Sequence, residues 1–424
     1  MVKRMKEGLI IKLYRERSGM TQTQLGKGIC SVTHISKIES GNTKYSAEIT
    51  DLICERLNID LEKELADYEQ LEKLLDDWLQ MMIHQETYEL DYIKEDIEEN
   101  TFIHIPQLQQ TYRILLARYW LTKRNLERGR SLLEQIQTRS EYLERKNKNL
   151  LFHTMGIYCL SVGKTKKAAQ HLIDVNPLEY GNHEFYYHLA SALHAMGAKV
   201  KAYHYCNLAL SYFQKTNNFK RVLDTQLLML SQMDSDPIYL KDDALNNYQE
   251  LIKSCRRYNE GAKEVYIWHN LGVHYTSRGL YLEAIKAYRM VLKQCENPFL
   301  PHLKLGALRG YIHSSLMTEN YIKEVLEDHL QTGIYLAEKM SNHTYLHAFH
   351  ALQLQLNKKG DEEYFRFLEE IFLPQLQAEG NQTILTLYER ELFHYYCEKG
   401  EYEKACKVAE KYVETGDFLR RQPF

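Results

Sequence analysis

Val32, Thr33, His34, Ser36 and Lys37 fall within one short stretch and share the exposed face of a helical segment near its N-terminal end. Thr33 and His34 can hydrogen-bond base edges, Val32 can meet a thymine methyl, and Lys37 suits a guanine edge or a phosphate. Gln22, at the start of the preceding helical segment, is placed to touch a nucleic-acid backbone. The plainer alternative is a solvated polar face on a small helical domain that binds protein. Catalytic chemistry finds little support. There is no GxGxxG, no Walker A loop, no GxSxG and no HExxH. His343, His347 and His350 would share one helix face, but no carboxylate or Cys stands beside them at ligand spacing, so they read as a packing face. No enzyme activity, metal or cofactor is expected.

The elements that must hold those side chains are short helices. Leu9, Ile10, Leu13 and Tyr14 recur at helical spacing until Ser18-Gly19 stops the run. Thr21-Gln22-Thr23-Gln24 has the capping-box form, in which the Thr hydroxyl and the Gln side chain satisfy each other's exposed backbone donors. This second helix should reach about Lys27, with Gly28-Ile29-Cys30 as the turn. Ser31 can cap a third helix, Val32 to Ser40, with Ile35 and Ile38 inward. Gly41-Asn42 ends it, and Ser46 caps a fourth helix bearing Ile49, Leu52, Ile53 and Leu57. Two short helices joined by a tight turn form a helix-turn-helix arrangement. The residues Met20-Thr21-Gln22-Thr23-Gln24-Leu25, Ile35-Ser36-Lys37-Ile38-Glu39-Ser40-Gly41 and Tyr45-Ser46 resemble the Xre/Cro-type helix-turn-helix domain. The turn departs from that pattern, with Cys30 where Gly is usual and one residue fewer.

Composition agrees with helices throughout. Of 424 residues only 20 are Gly and 7 are Pro, too little punctuation for a sandwich or barrel, while 44% hydrophobic residues supply a large core. The net charge of -3 is unevenly spread: residues 1–44 hold nine Lys/Arg against three Glu, and residues 61–100 hold fourteen Asp/Glu against three Lys. A basic head makes nucleic acid a candidate partner for the head alone. The acidic stretch keeps a helical stripe of Leu61, Leu65, Tyr68, Leu71, Leu75, Trp78, Met81 and Met82, so it reads as a structured amphipathic connector. Its charge would repel DNA phosphate; a solvated face with no such role is the alternative. Cysteines at 30, 54, 159, 206, 255, 295, 397 and 406 form no CxxC pair and suit reduced thiols. The N-terminus lacks a signal-peptide pattern and no run of 18 apolar residues occurs, so a cytoplasmic protein without a membrane partner is expected.

From about residue 103 a 34-residue period sets in. Gly163 and Gly197 are one period apart, as are Ala168 and Ala202. The clearest unit runs Trp268-His269-Asn270-Leu271-Gly272-Val273-His274-Tyr275, then Gly279 to Ala284, then Tyr288; another holds Leu392, Tyr396 and Gly400-Glu401-Tyr402-Glu403-Lys404-Ala405. Ala117, Gly156, Ala190 and Gly272 fall where paired helices approach closely. This resembles the tetratricopeptide repeat, with room for about nine units and weak signatures over 219–256 and 303–336. The resemblance implies an all-α chain: a helix-turn-helix domain followed by a right-handed superhelix whose concave groove is lined by first helices. Counting from the Gly/Ala landmarks, the groove positions are Arg118, His153, Thr154, Tyr187, His188, Ser191, His269, Asn270 and Val273. An Asn can clamp a peptide bond through both donor and acceptor, and an Arg can take a carboxylate bidentately. Ordinary solvated groove residues are the alternative, and most of the 32 tyrosines read as inter-helix packing.

An Xre-type head on a tetratricopeptide body resembles the peptide-pheromone-responsive RRNPP regulators, with Gly28 to Gly41 most like their PlcR and NprR branches and the length more like NprR than the shorter PlcR type. What the resemblance implies is a cytoplasmic, homo-oligomeric (dimeric or tetrameric) quorum-sensing transcription factor. Its partners would be double-stranded operator DNA and a short signalling peptide held in the groove. The implied domains are a head over 1–60, the connector over 61–100 and the repeat domain over 101–424. Two other readings stay open: a Rap-like protein that dephosphorylates or sequesters a response regulator, alone or as a second activity, and a scaffold whose groove takes a folded protein.

Overall fold

Helices form every regular element in the computed structural model, which describes residues 2–42, 46–233, 241–294, 301–318, 321–357, 361–379 and 382–410. Tyr45 and Cys295 lie outside the described residues. No described helix is long and apolar enough to cross a membrane. Two compact units emerge, Met1–Thr154 and Met155–Phe424.

The first unit begins with α1 (Val2–Arg17), α2 (Gln22–Gly26), α3 (Val32–Glu39) and α4 (Ala47–Leu57). Their boundaries follow the caps read from sequence. Thr21 accepts from the Gln24 amide while the Gln24 side chain accepts from the Thr21 amide, and Ser31 and Ser46 cap α3 and α4. Ile11, Leu25, Ile35, Ile38, Ile53 and Leu57 close the core between these helices. The connector is two helices, α5 (Leu61–His84) and α6 (Leu90–Glu99). A left-handed Gln85 ends α5, and Trp78 donates its indole N–H to the Leu90 carbonyl across the bend. A 3₁₀ turn (Thr101–His104) leads into α7 (Pro106–Thr122), α8 (Leu126–Gln137) and α9 (Arg145–Ser161).

The acidic connector does something the charge count did not foresee. Lys6 of α1 pairs with Glu69 at 3.3 Å and Glu72 at 2.6 Å, and its ammonium lies 5.6 Å from the Tyr68 ring centre. Tyr14 donates to Glu64 at 2.6 Å, and Arg17 donates to the Thr101 carbonyl at 2.6 Å. Part of the connector's negative charge thus clasps the back of α1.

The second unit continues through α10 (Thr165–Ile173), α11 (Pro177–Tyr180), α12 (Phe185–Ala195), α13 (Lys199–Lys215), α14 (Phe219–Met233), α15 (Lys241–Arg257), α16 (Gly261–Ser277) and α17 (Tyr281–Gln294). It ends with α18 (Pro301–Thr318), α19 (Lys323–Lys339), α20 (His343–Leu356), α21 (Asp361–Phe367), a π-turn (Leu368–Phe372), α22 (Leu373–Glu379) and α23 (Gln382–Glu398). Neighbouring helices in the chain, α12/α13, α16/α17 and α17/α18 most of all, dominate the packing. Gly163, Gly197, Gly279 and Gly400 all adopt positive φ at the end of a first helix, which explains their recurrence. A Cβ on Gly272 would lie 2.6 Å from the Tyr288 ring, so that position needs glycine for close approach. The stretches with weak repeat signatures nevertheless form regular pairs. Leu223, Leu230, Tyr248, Leu251, Ile252 and Cys255 bury the α14/α15 pair without the usual small residues.

First helices also pack on one another along the row α12, α14, α16, α18 and α20. Second helices α13, α15 and α17 pack instead on their partner and on the following first helix. Within this unit the first helices therefore form an inner layer.

Candidate nucleic-acid interface and ligand groove

In the head, α3 presents Val32, Thr33, Ser36 and Lys37 to solvent, with His34 half-buried beside them. The opposite face of the helix is buried through Ile35 and Ile38. What fixes its angle is a buried ion pair the sequence reading missed. Glu39 receives Arg15 through Nε and, at 3.1 Å, through a terminal nitrogen; a further Arg15 nitrogen donates to the Met20 carbonyl at 2.9 Å. Gln22 donates to the same Glu39 carboxylate at 2.8 Å, so its amide nitrogen serves the scaffold. One carboxylate thus ties α1, the start of α2 and the end of α3. Burial disfavours the charged Arg15, but its hydrogen bond to Glu39 outweighs this and raises its pKa further. From α4, Arg56 donates to the Leu25 and Lys27 carbonyls at 2.7 and 2.6 Å, fastening the end of α2 at the turn. The sequence carried a signal for both: Glu39 follows Ile38 inward, and Arg56 stands among apolar residues of α4.

The residues proposed for a ligand divide between the units. Arg118 and His153, with Thr154, belong to the first unit and are buried there. Tyr187, His188 and Ser191 lie together on α12. Arg221 of α14 sits 4.9 Å over the Tyr187 ring and pairs with fully buried Glu184 at 2.9 Å, and it also faces Asp224 at 3.6 Å. Lys263 of α16 closes this network on Asp224. Burial holds the Tyr187 phenol neutral far above its ordinary range. The Ser191 hydroxyl bonds back to the Tyr187 carbonyl at 2.9 Å.

On α16, His269 and Asn270 are in contact at 3.3 Å, Asn270 donates to Ser231 of α14 at 3.0 Å, and Val273 is exposed. The Asn270 amide is thus already oriented by a neighbour, as a backbone clamp must be. Burial, helped by the Arg309 charge, pushes His269 down to about 4. Arg309 and His313 beside it went unread because the 303–336 unit has little repeat signature. His347 packs edge-on against Phe367 and Phe372. The thiols of Cys159, Cys206 and Cys255 are buried and raised by that burial.

Residues 11–63 match the helix-turn-helix family. Along 397 residues the chain is 23% identical to the transcriptional activator NprA of Geobacillus stearothermophilus, covering 90% of this chain and 96% of that protein. A Rap protein solved in complex with Competence and Sporulation Factor shares the fold at a TM-score of 0.74 and 16% identity, over 84% of this chain and 100% of its own. NprR in complex with its cognate peptide NprX shares it at 0.70 and 18% identity, over 81% and 99%. Head and helical repeats agree with the arrangement read from the sequence, an Xre-like helix-turn-helix followed by tetratricopeptide-like repeats, and a relative matches it along nearly its whole length.

Proposed function

We propose that the protein is a quorum-sensing transcriptional regulator. In this reading α3 reads double-stranded operator DNA, and the inner layer of repeats holds a short signalling peptide that alters oligomeric state and DNA binding. The observation that carries it is the exposed face of α3 on a scaffold locked by Arg15, Glu39 and Arg56. The names of the relatives support it: one is a transcriptional activator, and NprR binds a cognate peptide. Gln22, Val32, Thr33, His34, Ser36 and Lys37 are the DNA-contacting set. Tyr187, His188, Ser191, His269, Asn270 and Val273 of the second unit are the peptide-contacting set, while Arg118 and His153 are buried in the first unit. The head spans 1–60, the connector 61–100 and the repeat domain 101–424; the protein works in the cytoplasm as a homo-oligomer, without enzyme activity of its own. A second reading, binding of a response regulator, rests on the fold shared with the Rap protein.

The test is selection of bound duplexes from a random DNA library by the full chain, with and without a synthetic peptide pool. An enriched inverted repeat whose recovery changes with peptide is the expected result. Recovery of no preferred sequence under either condition would overturn the regulator reading and leave the response-regulator reading to a pull-down with phosphorylated partners.

A further inference from the structure

Arg309 of α18 is an enclosed guanidinium without a counter-charge. Its Nε–H is buried and finds no acceptor, and no carboxylate pairs with it among the described residues. Its hydrogen bond goes to the hydroxyl of Tyr388 on α23. Tyr345 of α20, Tyr288 of α17, His269 of α16 and His313 of α18 lie near enough to feel its charge. Two glycines let these rings close on α18: a Cβ at Gly306 would meet His269 at 2.5 Å and Tyr345 at 3.2 Å, and one at Gly310 would meet Tyr288 at 2.2 Å.

Such an arrangement is expensive for a structural arginine, because a buried cation needs a counter-charge to offset its lost hydration. Nothing among the described residues supplies one. Burial and the Arg309 charge keep His269 and His313 neutral, each down to about 4, and burial keeps the three phenols protonated. Glu391, beyond Tyr388 on α23, is engaged by Gln355 and Tyr364, and its burial favours the uncharged acid. The site is not sealed: Arg309, His269, His313 and Tyr345 each keep part of their surface open, on the inner layer of the repeats.

We propose that Arg309, with the hydroxyls of Tyr345 and Tyr388 beside it, is a carboxylate-binding subsite on the inner face of the repeats, filled by a carboxylate of a peptide. The assignment rests on the peptide reading above and deepens it. The terminal nitrogens of the Arg309 fork can donate to a carboxylate, whose charge would offset the buried guanidinium, and the phenols can add donors without adding charge. A cationic group would be repelled, and a neutral amide would leave the guanidinium uncompensated. The carboxylate comes either from the peptide's C-terminus or from an Asp or Glu side chain.

Affinity selection by the full chain tests this with four synthetic heptapeptide pools, retained peptides being counted by mass spectrometry. One pool has free C-termini, a second is C-terminally amidated, a third has free C-termini but no Asp or Glu, and the fourth is amidated without Asp or Glu. Retention from the fourth pool should fall about ten- to a hundredfold below the first. Whichever of the second or third falls with it identifies the source. Arg309→Gln should abolish this preference and Arg309→Lys should keep part of it, with thermal unfolding as the control for folding. Equal retention from all four pools, or an unchanged preference in folded Arg309→Gln, would overturn the subsite while leaving the peptide reading standing. If Arg309→Gln does not fold, the wild-type comparison decides alone. Retention of no peptide from any pool would overturn both readings.

Discussion

Glu39→Ala isolates what holds α3, the helix proposed to contact DNA, in place. The substitution removes two Arg15 hydrogen bonds and the Gln22 bond at once, and strands a guanidinium in the head's interior. The side chains of Arg15 and Glu39 are 10% and 4% exposed, so water can compensate little. Breaking such a buried pair from one side costs about 3–5 kcal/mol. A head of this size, at roughly 0.05–0.15 kcal/mol per residue, has only about 3–9 kcal/mol to lose. The variant's head should therefore open while the repeat unit stays folded. Native-state hydrogen exchange on the full chain reads this directly. Protection at Leu25, Ile35 and Ile38 should fall by about 3–5 kcal/mol in exchange free energy, with amides near Leu305 and Ile312 unchanged as internal reference. Arg15→Met with Glu39→Leu should recover most of the loss, since no charge is left unpaired. Protection at Ile35 and Ile38 within about 0.5 kcal/mol of wild type in Glu39→Ala would refute the idea that this pair governs the aim of α3.

His34→Ala with Lys37→Ala should abolish sequence-specific protection in a footprint while far-ultraviolet dichroism stays unchanged; an intact footprint would remove both from the readout. DNA affinity should fall with salt at about 0.9 log units per phosphate contact in a log–log plot, and a flat titration would show that the basic head is not the binding surface. Gly272→Ala forces a Cβ to within 2.6 Å of the buried Tyr288 ring and should cost about 1–3 kcal/mol, seen as a lower thermal midpoint of the repeat unit. His269 and His313 are both depressed to about 4 from 6.5 in the folded chain, so the unfolded chain takes up their protons first as pH falls. Their contribution should be intact above pH 6.5 and lost progressively towards pH 4. His269→Gln with His313→Gln should flatten that part of the thermal midpoint's pH profile, and an unchanged profile would contradict it.

Local signals carried most of the head. Capping residues at Thr21, Ser31 and Ser46 act on amides within three positions, so sequence alone can place them. In the repeats, Gly163, Gly197 and Gly279 declared themselves because a left-handed turn after each first helix recurs with the period. The α14/α15 pair escaped because it packs through Leu, Ile and Tyr instead of a Gly/Ala notch, which no fixed-position pattern detects. The ion pair Arg15–Glu39 links residues on different helices, and the cluster around Arg309 draws on five helices. Such convergence is a property of packing, invisible to the spacing along any one helix.

The same limit applies to charge. Counting placed a strongly basic segment beside a strongly acidic one and suggested repulsion of DNA, yet the structure commits several of those charges to the protein itself. Lys6 is neutralised by Glu69 and Glu72, Arg15 by Glu39, and Arg17 caps a carbonyl. Within the first unit α1 packs on α3 on one side and on α5 on the other. The connector's carboxylates thus engage α1, and the exposed cations Lys3, Lys12, Lys27 and Lys37 stay available to phosphate. An acidic helix can sit next to a DNA-binding head without competing for it, provided its charges are satisfied by the head's own lysine and tyrosine. That division of charge turns a neighbouring segment of opposite sign into a mount for the interface.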